Sequence, residues 1–145
     1  MIYCTVNGGT EAEKIMVQEA FYFAVEKLMP RKKNLDVEFY LRDMEDDAEG
    51  YHCQIDQGEH NIELQQGLIE EDLMTLVFHE MVHVKQHERG ELKDHGIRKM
   101  WKGEEHVSVF STTEEYMALP WEEEAYRLQE EIYNKWLETT AEILN

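Results

Sequence analysis

A chain of 145 residues, 42% of them hydrophobic and few of them Gly or Pro, suits one packed domain over residues 1–145 and is too apolar to stay disordered. A formal net charge of −18, with no basic run denser than Arg31-Lys32-Lys33, repels phosphate backbones and argues against direct nucleic-acid binding. Two isolated cysteines, Cys4 and Cys53, exclude a zinc ribbon or a disulfide framework and fit a reducing compartment.

Met1 to Val6 reads as a short strand ended by Asn7-Gly8-Gly9. Thr10 and Glu13 form a capping box that opens a helix running to about Met29, with Val17, Phe21, Ala24, Val25 and Leu28 as its core face. Its longest apolar run, Ala20 to Val25, is far too short to span a bilayer. With no basic leader at the N-terminus, a soluble cytoplasmic protein without membrane association is expected. Leu35, Val37, Phe39 and Leu41 alternate with Asp36, Glu38, Tyr40 and Arg42, the pattern of a half-buried strand. Tyr51, Cys53 and Ile55 alternate likewise, with Cys53 expected in the core, and Gln57-Gly58-Glu59 turns the chain into Ile62 and Leu64 as a hairpin. A helical pattern follows from about Leu68 to Glu88 and stops at Gly90. Beyond it lie a loop-rich stretch, a possible strand from His106 to Phe110, and a last helix opened by Pro120 with the stripe Trp121, Ala125, Leu128, Ile132 and Trp136. This order of elements predicts an α+β fold.

His79-Glu80-Met81-Val82-His83 fits H-E-x-x-H. On a helix, imidazoles at i and i+4 lie one above the other and can share a zinc ion, with the intervening glutamate placed to act on water at the metal. Leu73, Met74, Leu76, Val77, Phe78, Met81, Val82 and Val84 make the helix apolar nearly all round, so it should be buried. Two histidines and a carboxylate are costly in such a helix unless a metal or hydrogen bonds satisfy them. His87 shares their face but lies eight residues from His79, about 12 Å along a continuous helix, too far to join the same ion.

Candidates for the third ligand are His95, His106 and the carboxylates of Pro120-Trp121-Glu122-Glu123-Glu124-Ala125. Glu123 points about 160–180° from the apolar stripe of the last helix, whereas Glu122 and Glu124 each lie about 80° from its centre on opposite flanks. Periodicity alone does not choose between the flanks.

H-E-M-V-H-V-K-Q with R-G-E-L behind it, then W-K-G, then Tyr116 four residues before P-W-E-E-E-A, resembles the small zincin-type metallopeptidases of bacteriophage and bacterial genomes, often labelled SprT-like or gluzincin-like. The resemblance covers about residues 73 to 130. It implies a zincin-like fold, with a small mixed or antiparallel sheet packed on the N-terminal helix and the H-E-x-x-H helix, and a C-terminal helix completing the metal site. A glutamate directly before alanine on a later helix completes the zinc site in such proteins, which maps to Glu124 with Glu122 in reserve. Members with a DNA-linked role carry a histidine-glycine pair after the motif helix, matched here by His95-Gly96. They also commonly have a zinc ribbon and basic character, both absent from this chain.

The expected site is therefore His79, His83 and Glu124 as zinc ligands with Glu80 as general base. Tyr116 is a candidate hydroxyl donor to a developing oxyanion. Three protein ligands leave a position for water, whose pKa zinc lowers from 15.7 toward about 7. The expected reaction is peptide-bond hydrolysis on a polypeptide substrate, with basic substrates favoured by the acidic surface. By the same resemblance, an edge strand before the motif helix binds extended substrate, a role that falls to His60–Gln65. Two other functions fit the composition: a zinc-pinned binding protein without catalysis, and an acidic interaction protein that mimics nucleic-acid charge.

Overall fold

The computed structural model describes the backbone of residues 1–45 and 48–144, and the side chains of these residues other than 143 and 144. The chain runs β1 (Ile2–Asn7), α1 (Glu11–Leu28), β2 (Leu35–Arg42), β3 (Gly50–Asp56), β4 (Glu59–Gln65), α2 (Glu70–Glu88), β5 (Leu92–His95), β6 (Arg98–Trp101), β7 (Glu104–Val107), α3 (Thr113–Met117) and α4 (Pro120–Leu144). It is an α+β fold, as expected, with one mixed sheet, one antiparallel sheet and four helices among the described residues.

The four-stranded sheet has the order β1-β2-β4-β3. β1 and β4 flank β2 in parallel, and β3 closes the sheet antiparallel to β4. The alternation in β2 sets its faces: Leu35, Val37, Phe39 and Leu41 are all buried, as are His60, Ile62 and Leu64 of β4. This face packs against α1 and α2, while Asp36 and Arg42 on the other are exposed. α1 begins as the capping box predicts, with the Thr10 side chain accepting from the Glu13 N–H and the Glu13 carboxylate accepting from the Thr10 N–H. The same carboxylate accepts from the Gly67 N–H at 2.9 Å, tying the helix start to the loop before α2.

The structure corrects three expectations. His60–Gln65 is not a sheet edge: β4 is held between β2 and β3, and the edge strands are β1 and β3. β3 carries edge features, with Tyr51 57% and Ile55 56% exposed and a register shift between Gln54 and Asp56. Its apolar alternation consequently faces outward. Cys53 is half-buried on the outer face rather than in the core, and Gly50 and His52 face inward beside Leu64 and Ile62.

The stretch after α2 is not a loop but a three-stranded antiparallel meander, β5-β6-β7, and its last strand is Glu104–Val107 rather than His106–Phe110. Strands of four residues are too short to establish a period of two. The turn from β6 to β7 is built by Lys102 (φ 50°) and Gly103 (φ 87°), the paired positive angles of a two-residue hairpin. The meander lies over the first turn of α4, where Trp101 and His106 both pack on Trp121.

The core cluster joins α1, β2, β4, α2 and α4. Phe21 is fully buried and meets Phe39 edge-on at 6.0 Å between ring centres, linking α1 to the middle of the sheet. Phe21→Ala should destabilise the protein by about 3–5 kcal/mol, read as a lower midpoint in urea unfolding.

Candidate metal centre

α2 is buried over most of its length, from Leu73 and Met74 through Gln86. It stops at Gly90 (φ 67°), where the Gly90 N–H donates to the His87 carbonyl and the Glu91 N–H to the Gln86 carbonyl, a Schellman ending. α4 crosses against α2 and presents Glu122, Tyr126 and Gln129, an i, i+4, i+7 row on one side of its apolar stripe.

His79 Nε2 and His83 Nε2 lie 3.2 and 3.1 Å from the same oxygen, Glu122 Oε1. All three residues are buried, and their ligand atoms lie within 4.8 Å of one another. This group can hold a metal ion. Donors at about 2.0–2.1 Å from a tetrahedral ion are about 3.3–3.4 Å apart, close to the two distances observed.

The other nitrogen of each ring is engaged. His79 Nδ1 donates to Gln129 Oε1 at 2.7 Å, and His83 Nδ1 to Gln86 Oε1 at 2.8 Å. Gln86 cannot turn its amide round at no cost, because its Nε2 donates to the Trp121 carbonyl at 2.9 Å and to Glu124 at 3.2 Å. Both imidazoles are thereby held with Nε2 toward Glu122.

Glu122, not Glu124, is thus the carboxylate brought to the histidines. Glu124 points along the opposite flank of α4, where it accepts from Lys85 Nζ at 2.8 Å and from Gln86, with Lys102 Nζ at 3.9 Å. Lys85 is itself buried and also pairs with Glu91 at 2.8 Å. Glu124 is paired with this buried cation on the flank away from the two Nε2 atoms. It supports His83 instead, through Gln86. Glu123 is exposed, as its angle predicts.

The remaining histidines lie outside the group. His95 is exposed at the end of β5, and His106 packs edge-on against Trp121 at 5.8 Å. His87 is half-buried against His52, with ring centres 4.9 Å apart, and burial followed by the neighbouring His60 and His83 pulls its imidazole down to about 4. His52 Nε2 shares a hydrogen bond of 2.8 Å with His60 Nδ1, and His60 Nε2 reaches Glu88 Oε2 at 2.7 Å. This chain of contacts fastens β3 and β4 to the end of α2.

Glu80 is 4% exposed, and its Oε2 has no hydrogen-bond partner among the described residues. Burial raises its carboxyl above the ordinary 4.5, against the opposing pull of His83 and His79. Gly50 of β3 lies directly against it, since a Cβ there would come within 2.7 Å of Glu80 Oε1 and 2.8 Å of Leu76 Cδ1. Glu80, His79, Tyr116 and Tyr126 line a common cavity of about 560 Å³. Tyr126 packs its ring 4.7 Å from that of His79. Burial, then the charge and hydrogen bonding of Glu122, push the Tyr116 hydroxyl well up. Tyr116 thus lines the same cavity as His79 and Glu80. Tyr126, Gln129 and Gln86 are additions whose signal was present in the row Glu122-Tyr126-Gln129 and in the position of Gln86 three residues after His83.

No protein-family model, curated protein or solved structure matches this chain. Among the described residues, no helix is long and apolar enough to cross a membrane.

Burial pulls the His83 imidazole down, but the hydrogen bond and charge of Glu122, helped by Glu80, outweigh it and hold it up at about 9. Burial pushes Glu122 up, but hydrogen bonds from His79 and His83 outweigh that and hold it down at about 2. Without metal, the His83 share of stability is complete below 6.5 and lost as pH rises through about 9. The Glu122 share is complete above 4.5 and lost as pH falls through about 2. A metal ion must displace the His83 proton, so affinity for a divalent metal ion should fall about tenfold per pH unit below about 9, or about a hundredfold between pH 8 and pH 6. Competition titration against a chromogenic chelator reads this directly. Glu122→Ala should abolish stoichiometric binding of added metal ion, whereas Glu124→Ala should bind one equivalent about 10- to 100-fold more weakly.

Proposed function

We propose that this protein is a zinc-dependent metallopeptidase of the zincin type, a hydrolase acting on polypeptides. One observation carries the reading: a buried carboxylate without a partner, Glu80, adjoins a three-donor metal group and opens onto a cavity. A purely structural site has no use for such a group, and its burial is a cost to folding. The donor set of two imidazoles and one carboxylate fits zinc in a catalytic arrangement, where three protein ligands leave a place for water. When bound, the ion supplies Lewis acidity, which acidifies water and polarises a carbonyl.

The chain's own residues carry the remaining steps. Glu80 accepts a proton from the attacking water on its free carboxylate and returns it to the leaving amine. Its raised proton affinity suits both transfers. His79 and His83 keep Nε2 on the reaction side because Gln129 and Gln86 occupy their other nitrogens. Tyr116 and Tyr126 hold hydroxyls at the rim of the cavity, where either can donate to oxygen as negative charge develops. β3, the edge of the sheet beside α2, offers backbone groups to an extended peptide, and Gly50 on that strand touches the base. Substrate register and proton transfer thereby meet at one residue.

A zinc-pinned binder without catalysis would require a fourth protein ligand. Among the described residues only three donors gather, and Glu80 remains unpaired beside them. That favours the enzyme.

Glu80→Gln should retain zinc and lose at least about 10²–10⁴-fold in turnover of an internally quenched, unstructured peptide. Turnover equal to that of the parent would remove Glu80 as the base. Gly50→Ala, whose backbone angle is open to alanine, should also keep zinc while turnover falls about 10- to 100-fold as the new Cβ displaces the carboxylate.

A further inference from the structure

The cavity beside the metal group has an acidic wall for which the reaction itself has no use. Glu49 enters it from the chain just before β3 and Asp72 from the first turn of α2. Neither carboxylate pairs with a Lys, Arg or His among the described residues. Among the described residues, His79 is the only basic one lining the cavity, and it is engaged by Gln129 and Glu122. At the inner end stands Glu80, 96% removed from solvent by its 4% exposure, with Oε2 unpartnered. Glu49 and Tyr126 line the same cavity, and burial first, then Glu122, Glu80 and Glu49, raise the Tyr126 hydroxyl.

The walls between these charges are not polar throughout. Leu76 and Tyr126 give a surface for an aliphatic stem, and an aromatic face attracts a cation. A volume of about 560 Å³ lies in the range of ligand pockets and exceeds what one long side chain needs. An acidic substrate side chain would meet three carboxylates there and no free cation.

We infer that this cavity is a specificity pocket that selects a lysine or arginine side chain next to the bond being cut, through Glu49 and Asp72. The inference rests on the peptidase reading above and narrows its substrates to basic segments of polypeptide. The long stem lies along Leu76 and Tyr126, and the charged head sits between the two carboxylates at the cavity mouth. Because the mouth is exposed, salt weakens the selection.

Two measurements test it. The zinc-loaded protein is given quenched peptides identical except for lysine or norleucine at each position flanking the scissile bond, at low ionic strength. At one position kcat/KM should favour lysine about five- to tenfold, and the double variant Glu49→Gln/Asp72→Asn should bring that ratio to about one, with Glu49→Gln alone intermediate. In parallel, zinc-loaded Glu80→Gln is titrated calorimetrically with the same two peptides, so that selectivity is read without cleavage. Lysine should again bind about five- to tenfold more tightly, and 0.5 M salt should erase most of the difference. Equal affinity and equal kcat/KM for the two peptides would overturn the pocket, as would a preference undiminished in the double variant. Selective binding by a protein that cleaves neither peptide would overturn the peptidase reading and leave the cation pocket standing.

Discussion

Two imidazoles on one helix can aim the same nitrogen at one point only if something holds the other nitrogen of each ring. Here a glutamine does so twice, Gln129 from α4 for His79 and Gln86 from α2 itself for His83. The seam between α2 and α4 depends on these bonds. Without them the rings would be free to flip, and Glu122 would lose the geometry in which one oxygen meets both Nε2 atoms. The seam is a polar strip within apolar packing, since Val82, Ala125 and Ile132 are buried among the core residues alongside it. Charges buried in such a place stabilise nothing unless each has a partner. Glu122 can therefore serve in two capacities: as a donor to a metal ion, and as the hydrogen-bond partner of both imidazoles when no ion is bound.

The motif helix is legible from its sequence because its apolar residues run nearly all round, so burial follows whatever the neighbours do. The third donor is a different problem. Glu122 and Glu124 sit at equal angles on either side of the α4 stripe, and which flank turns toward α2 is set by the side on which the helices cross. That is a tertiary fact, invisible to periodicity. The composition of the flanks carries a usable trace of it: Glu122 continues into Tyr126 and Gln129, residues able to satisfy a buried polar site, whereas Glu124 continues into Leu128 and Glu131. Lys85, four residues N-terminal to Arg89 and buried, is the matching signal on α2, because a buried lysine demands a carboxylate and Glu124 meets that demand.

The sheet illustrates the same limit from another direction. Alternation identifies β2 and β4 as strands with one buried face, but β3 alternates just as cleanly and turns its apolar residues outward. Period two says which residues share a face, never which face meets the core. His52 decides the matter in the fold, because on the inner face it joins His60 and, through it, Glu88. A hydrogen-bonded histidine inside outweighs the burial of Tyr51 and Ile55, which at an edge strand would gain only one covered side. The four-residue strands of the meander have too little pattern to be seen, and their turn glycines are their only strong marks.

Glu80 has no such compensation, and that asymmetry argues for function better than the motif does. Every other buried ionisable side chain of the α2–α4 seam has a counterpart: His79 and His83 have Glu122, and Lys85 has Glu124 and Glu91. Glu80 has one oxygen without any partner and a carboxyl pushed toward its neutral form by burial. A fold selected for stability alone would place an apolar residue there, as it does nearby at Phe78 and Met81. The strain is sustained because Gly50, by lacking a Cβ, leaves the carboxylate room beside the sheet edge. An unsatisfied acceptor pressed against an open strand is satisfied when something with a proton to give, water or a peptide, arrives along that strand.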